Sequence, residues 1–253
     1  MKVFIAQKSY VFMFVVILLV GSLLAIRFDN TGAFAQVYFG NNPKLYPIYR
    51  VDTTDKKVAI TFDAAWGADK TEQIMDVLDE YNVKATFFLV GFWMDEYPEM
   101  TKKIFDRGFE IGSHSYNHPD MTKLDSTQIR QELVSTNDKI SEITGQIPTL
   151  FRPPYGAYDN KLIEELNHLN MKGIQWDVDT LDWKGYTPSQ VIQRVNNAVQ
   201  CGSIILCHNN ADHVVDNTRL ILSTLINKGY SFVKVSELVK DVKDIKIGVG
   251  YTN

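Results

Sequence analysis

Two cysteines in 253 residues, Cys201 and Cys207, cannot build a disulfide framework. The residues between them read as a strand, which at ~3.3 Å per residue holds the two sulfurs about 20 Å apart. A disulfide needs Cα atoms within roughly 7 Å of each other, so both cysteines are read as free, packed thiols. A basic block is also missing. The formal net charge is −4; without residues 1–35, which hold Lys2, Lys8 and Arg27 against Asp29, 23 basic residues stand against 29 acidic ones, a net of −6. Such a surface is a poor match for nucleic acid. Neither a GxGxxG nor a Walker glycine pattern occurs, which argues against a nucleotide-binding open sheet. Repeats and low-complexity stretches are absent as well. Hydrophobic residues make up 45% of the chain and charged ones 22%, enough apolar material for a sizeable core and unlike a disordered chain.

One long uncharged run is present. Tyr10 to Ile26 follows Lys2 and Lys8 and ends at Arg27. Its length fits either a cleaved export signal or an uncleaved single-pass anchor. Ala33-Phe34-Ala35 offers a small-x-small cleavage site. Either way the positive end stays inside and the remainder lies outside the cytoplasm, secreted or tethered to the membrane. The expected organisation is therefore an N-terminal segment over 1–35, a connector over 36–56, a folded domain over 57–240 and a tail over 241–253.

Within the domain, short apolar β-rich runs alternate with amphipathic stretches. The runs are 58–62, 85–90, 109–112, 149–151, 173–176, 203–207 and 232–235. Helical periodicity covers 70–81, 98–107, 126–144, 159–169, 188–200 and 215–228. Asp125-Ser126 and Thr187-Pro188-Ser189 are helix starts, and Gly108, Gly202 and Gly229 are stops. Strands alternating with helices predict an α/β fold with a parallel sheet, closed or nearly closed into a barrel.

Ionisable and aromatic residues collect where five of these strands end: Asp63; His114 and His118; Arg152 and Tyr155; Asp179, Asp182 and Trp183; and His208. In a parallel barrel the carboxyl ends share one face, which carries the active site. The spacing of His114 and His118 allows both imidazoles to reach one metal ion from a single helical turn. Asp63 is placed to act as a general base beside that metal. Arg152, stiffened by Pro153 and Pro154, can hold a buried carboxylate ionised. The Tyr155 N–H can serve an oxyanion. His208 is a candidate general acid, oriented by Asp182 or Asp179. Trp183 and the Tyr155 ring are candidate apolar walls against a sugar, or rim packing. No obligate protein partner is evident.

Taken in order, TFDAAWG, SHSYNHP, FRPPYG, DVDTLDW and ILCH resemble the five motifs of the polysaccharide deacetylase family, the NodB-homology domain of carbohydrate esterase family 4, over about Lys57–Val239. The AAWG ending and the preceding PIYRVDT are similar to its sporulation-associated subgroup. The resemblance implies a deformed (β/α)7–8 barrel with mostly parallel strands. It also implies a divalent metal in a groove, often zinc with cobalt as an alternative, and hydrolysis of N-acetyl groups on a cell-wall glycan such as peptidoglycan or a chitin-like polymer. Asp63 matches the base, His114 and His118 the metal ligands, Arg152 the tether of the base, and Tyr155 the oxyanion donor. Asp182 matches the support of the catalytic His208. Leu206 and Trp183 match residues that hold the acetyl methyl. Two positions depart from the pattern. Ala64 stands where a ligating Asp is usual, which weakens metal binding and raises a glycan-binding, catalytically weak barrel as the rival reading; Asp69 or Asp63 itself is a candidate replacement ligand. Asn209 follows His208 where Asp is common.

Overall fold

The computed structural model describes residues 43–240. The N-terminal apolar run, the candidate cleavage site at Ala33–Ala35 and the expected 241–253 tail lie outside them. Among the described residues no helix is long and apolar enough to cross a membrane. The chain divides into two compact units, Met1–Lys44 and Leu45–Asn253, and the second carries the sheet and its helices.

Among the described residues eight parallel strands form one sheet. They are β1 (Lys57–Ala64), β2 (Thr86–Leu89), β3 (Glu110–Ser113), β4 (Leu150–Phe151), β5 (Lys172–Gly173), β6 (Val178–Asp179), β7 (Ile204–His208) and β8 (Ser231–Phe232). The order is β5-β4-β3-β2-β1-β7-β6, with β8 paired to the start of β1. Among the described residues eight helices lie between and after them: α1 (Thr71–Glu80), α2 (Gly91–Glu96), α3 (Pro98–Asp106), α4 (Ser126–Thr144), α5 (Asn160–His168), α6 (Pro188–Ala198), α7 (Val214–Asn227) and α8 (Val235–Leu238). The curled sheet with helices outside is the deformed (β/α) barrel that the sequence predicts.

Two apolar layers account for the near-continuous hydrophobic runs of the strands, since both faces of the sheet are covered. Val58, Ile60, Phe62 and Ala64 of β1 and Ile205 and Cys207 of β7 pack outward with Ile74 and Leu78 of α1 and with Leu222 and Leu225 of α7. Ala59, Phe88, Leu150, Ile174 and Ile204 face inward, together with Val235, Leu238 and Val239. The period of two along each strand sorts them. Helix starts follow their local chemistry. Asp125 forms a reciprocal capping box with Gln128 at α4, and Thr187 does so with Gln190 at α6.

The sheet path ends at β5 and β6. Part of the expected connector spans the interval. Ile48 bridges Ile174 and Arg50 bridges Ser203. The Ile48 N–H donates to Gly173 O (2.8 Å) and the Val51 N–H to Gly202 O (2.9 Å). Ile48 is buried in the inner layer. Residues 45–56 thus pack with the barrel.

Some elements differ from expectation. Of the 173–176 run only Gly173 lies in a strand, β5, and Ile174 makes an isolated bridge; β6 is a separate strand beyond the run. The carbonyl of Gln175, between them, accepts from Arg152 instead of from a strand. The 232–235 run is a strand only as far as Phe232, then turns into α8. Helix α2 was not expected, because six residues between a strand and Pro98 carry too little periodicity to read.

Candidate active site

Asp63 lies near the carboxyl end of β1, opposite His208 at the end of β7 in the parallel ladder. Thr61 and Leu206 are the register pair two residues earlier, so all four side chains share the inner face. Above the apolar inner layer this face turns polar.

Arg152, just beyond β4, is fully buried. Its guanidinium lies 4.2 Å from the Phe88 ring centroid and 5.6 Å from that of Trp176. One terminal nitrogen donates to Asp63 Oδ1 (2.7 Å) and to Thr61 Oγ1 (2.8 Å); the other donates to Gln175 O (3.2 Å). Burial by itself would raise the Asp63 pKa. The Arg152 charge, helped by His114 and His208, overrides it and holds the carboxyl below the usual carboxylate value. Asp63 is therefore an ionised carboxylate with its second oxygen, Oδ2, 3.6 Å from His114 Nε2.

His114 Nδ1 lies 2.7 Å from the Arg152 carbonyl oxygen. A carbonyl only accepts, so Nδ1 carries the proton and Nε2 keeps its lone pair. Burial lowers the pKa of His114, and that of His118 falls to about 4 for the same reason. Both rings are neutral at pH 7. They stand 4.9 Å apart, centre to centre. The expected helical turn is not what joins them. Ser115 (φ 65) and His118 (φ 54) are left-handed, and the His118 N–H donates to Ser115 Oγ (3.0 Å). A short polar side chain thus stabilises a turn that a β-branched residue would resist.

His208 Nδ1 lies 2.8 Å from Asp182 Oδ1, and its backbone N–H donates to Asp182 Oδ2 (2.9 Å). Burial opposes protonation of the ring. The hydrogen bond and charge of Asp182, with Asp63 and Asp179, override it and raise the pKa above the ordinary imidazole value. Of the two carboxylates considered as its partner, Asp182 makes the contact. Asp179 instead accepts from the Leu181 N–H (2.8 Å).

The remaining expected residues lie on or under the same rim. Leu206 is buried at 3% exposure on the inner face. Pro153 and Pro154 lead into a single 3-10 turn in which Tyr155 adopts φ 59. The Tyr155 ring is exposed and meets His118 edge-on at 4.7 Å. Trp183 is exposed, with Lys184 Nζ 5.1 Å from its ring centre. Ala64 is fully buried in the outer apolar layer, where its strand parity sends it. Asp69 is exposed.

Sequence reasoning missed Thr61, Gln175 and Trp66. Thr61 was findable, since it shares strand parity with Asp63. Gln175 contributes a backbone oxygen, which no side-chain pattern reveals. Trp66 sits inside a motif whose ionisable neighbours carry the stronger signal.

Residues 50–174 match the family model for polysaccharide deacetylase. The chain is 34% identical to a peptidoglycan-N-acetylglucosamine deacetylase of Bacillus cereus over 194 residues, 75% of this chain and 70% of that protein. This chain belongs to the polysaccharide deacetylase family. It is also 36% identical over 200 residues to an uncharacterised protein, YlxY, of Bacillus subtilis, which covers 79% of this chain and 62% of that one. The chain thus spans less than two thirds of that relative's length. Among solved structures it superposes with a TM-score of 0.74 and 36% identity on a Bacillus anthracis protein described as a CE4 family pseudoenzyme, covering 77% of this chain and 71% of a mutant form of that one. A mutant of the pseudoenzyme is described as having restored enzymatic activity.

A metal ion has two fitting donors in this family member. His114 Nε2 has a free lone pair, and His118 Nδ1 is buried without a hydrogen-bond partner. Neutral imidazole suits zinc and cobalt. Among the described residues, no three His, Cys, Asp or Glu side chains form a group that would hold an ion unaided. The methyl of Ala64 supplies no ligand.

Proposed function

We propose that this chain hydrolyses N-acetyl groups on N-acetylhexosamine units of a cell-wall glycan, releasing acetate and a free amine. The observation that carries this reading is the opposition of an Arg152-held, ionised Asp63 to an Asp182-held His208 across the β1–β7 ladder, beside two neutral imidazoles. Asp63 takes a proton from water as the oxygen attacks the amide carbonyl. The Tyr155 N–H supports the oxyanion. His208, protonated on both nitrogens, gives a proton to the departing amine nitrogen as the C–N bond breaks. His114 and His118 would hold a divalent cation, zinc or cobalt, whose chemistry is to polarise the carbonyl. Leu206 and Trp183 border the space for the acetyl methyl. The N-terminal apolar run supports an extracytoplasmic location, which a topology reporter fused after residue 56 would test.

The test is acetate release from chitooligosaccharides and from peptidoglycan by purified protein with added Zn²⁺ or Co²⁺. Release that disappears in Asp63→Asn and in His114→Ala supports the reading, and no release from any of these glycans refutes it. A second reading rests on Ala64 and on the likeness to the pseudoenzyme: a barrel that binds the glycan without turning it over. Metal content of the purified protein separates the two. A metal-poor, inert protein in which Ala64→Asp creates activity is of the second kind.

A further inference from the structure

The loop that leaves β1, Ala65–Gly67, is held from two sides. The Gly67 carbonyl accepts from Trp93 Nε1 of α2 (2.8 Å) and from Asn209 Nδ2 just past β7 (2.7 Å). Asn209 is 1% exposed, and its amide nitrogen also lies 3.2 Å from Thr71 Oγ1. A carboxylate at position 209 has no proton to donate and would set oxygen against oxygen. The Asn found here in place of the common Asp is therefore what this loop requires. Gly67 itself turns at φ 61.

Between the clamp and Ala64 stands Trp66, 57% exposed on a fixed backbone. Its ring meets His118 edge-on at 5.3 Å and Phe92 at 6.4 Å. His118 meets Tyr155 in turn, so the four rings make one wall along the rim. Among the described residues the exposed aromatic side chains are Trp66, Tyr155 and Trp183, and each follows the carboxyl end of a strand. Leaving an indole in water forfeits the free energy of burying it. A polymer supplies the missing partner, because the C–H face of a pyranose lies flat on the negative face of an indole. A small amide needs no such platform.

We propose that Trp66 is a sugar-stacking platform, with Asn209 as its positioning residue, that holds the pyranose next to the one placed between Asp63 and His208. The proposal rests on the glycan reading and makes the substrate a chain of sugars, not a single unit.

Isothermal titration with chitotetraose, and NMR titration with monomeric N-acetylglucosamine, test it on the full chain. Trp66→Ala weakens chitotetraose binding by about tenfold, the size of one aromatic contact, and leaves the monomer unchanged. Trp66→Phe restores most of the affinity. Asn209→Asp weakens the tetramer in the wild-type background but adds nothing in Trp66→Ala, a coupling that a general loss of structure would not produce. Asn209→Ala serves the same cycle if the Asp variant does not fold. Equal tetramer binding by Trp66→Ala and wild type overturns the platform and leaves the glycan reading standing. Binding of neither ligand by wild type overturns both.

Discussion

Arg152 and Asp63, 89 residues apart in the chain, meet through a 2.7 Å hydrogen bond inside the barrel, with the guanidinium fully buried and the carboxylate nearly so. The pair sits at the boundary between the apolar inner layer and the polar rim. The Arg152 charge is what keeps the buried carboxyl ionised against the effect of burial.

Removing the guanidinium therefore costs more than a contact. Arg152→Met leaves a buried carboxylate with no counter-charge, and breaking such a pair typically costs about 3–5 kcal/mol. At roughly 2–4 °C per kcal/mol for a domain of this size, the melting temperature falls by about 6–20 °C. Asp63 also loses the influence that keeps it ionised. Thermal unfolding followed by circular dichroism checks the first effect, and a melting temperature within a degree or two of wild type would refute it.

His208 provides a pH signature. Its folded-state pKa is raised, so protonation favours the folded state. This contribution is complete below the unfolded-state value of about 6.5 and is lost as pH rises through the higher folded value. In Asp182→Asn the hydrogen-bonded charge is gone and burial is opposed only by the more distant Asp63 and Asp179, so the pKa falls. NMR titration of the imidazole resonances distinguishes the cases. An unchanged His208 pKa in the variant would show that Asp182 is not what sustains it.

Ala64 occupies apolar space. Without metal, Ala64→Asp buries an unpaired carboxylate and lowers stability by a few kcal/mol, about the cost of an uncompensated polar group. Added Zn²⁺ recovers part of the loss, because a ligand at 100 times its Kd stabilises by about 2.7 kcal/mol. His114→Ala in the same background removes the recovery. Melting temperatures with EDTA and with Zn²⁺ check this, and a metal-independent melting temperature in Ala64→Asp contradicts it.

Gly202 (φ 81) faces the segment that seals the sheet. An added Cβ would lie 1.9 Å from the Val51 carbonyl oxygen. Gly202→Ala incurs about 1–3 kcal/mol of backbone strain and must also push Val51 away, loosening residues 48–51 from β5 and β7. Hydrogen exchange at Ile48 and Val51 reports it. Protection equal to wild type would mean that the segment tolerates the displacement.

Much of this was readable from local order. Asp125 and Thr187 announce their helices because a cap needs only a side chain and the N–H three residues on. Gly108 and Gly229 end theirs because only glycine takes a left-handed turn freely; the expected stop at Gly202 is not used, since α6 already ends at Ala198 with an extended cap at Val199. Asp63, His114, Arg152, Asp182 and His208 were found together because strand ends in a parallel barrel share a face.

Other features were decided only in three dimensions. That Asp182, not Asp179, grips His208, that Asn209 reaches back to Gly67, and that residues 48–51 close the sheet all depend on contacts between distant segments. The left-handed bend at His118 and the burial of Ala64 belong with them. A residue's own propensity acts over one turn or one strand. The distance between two loops is set by the register and curl of the whole sheet, which no single segment encodes.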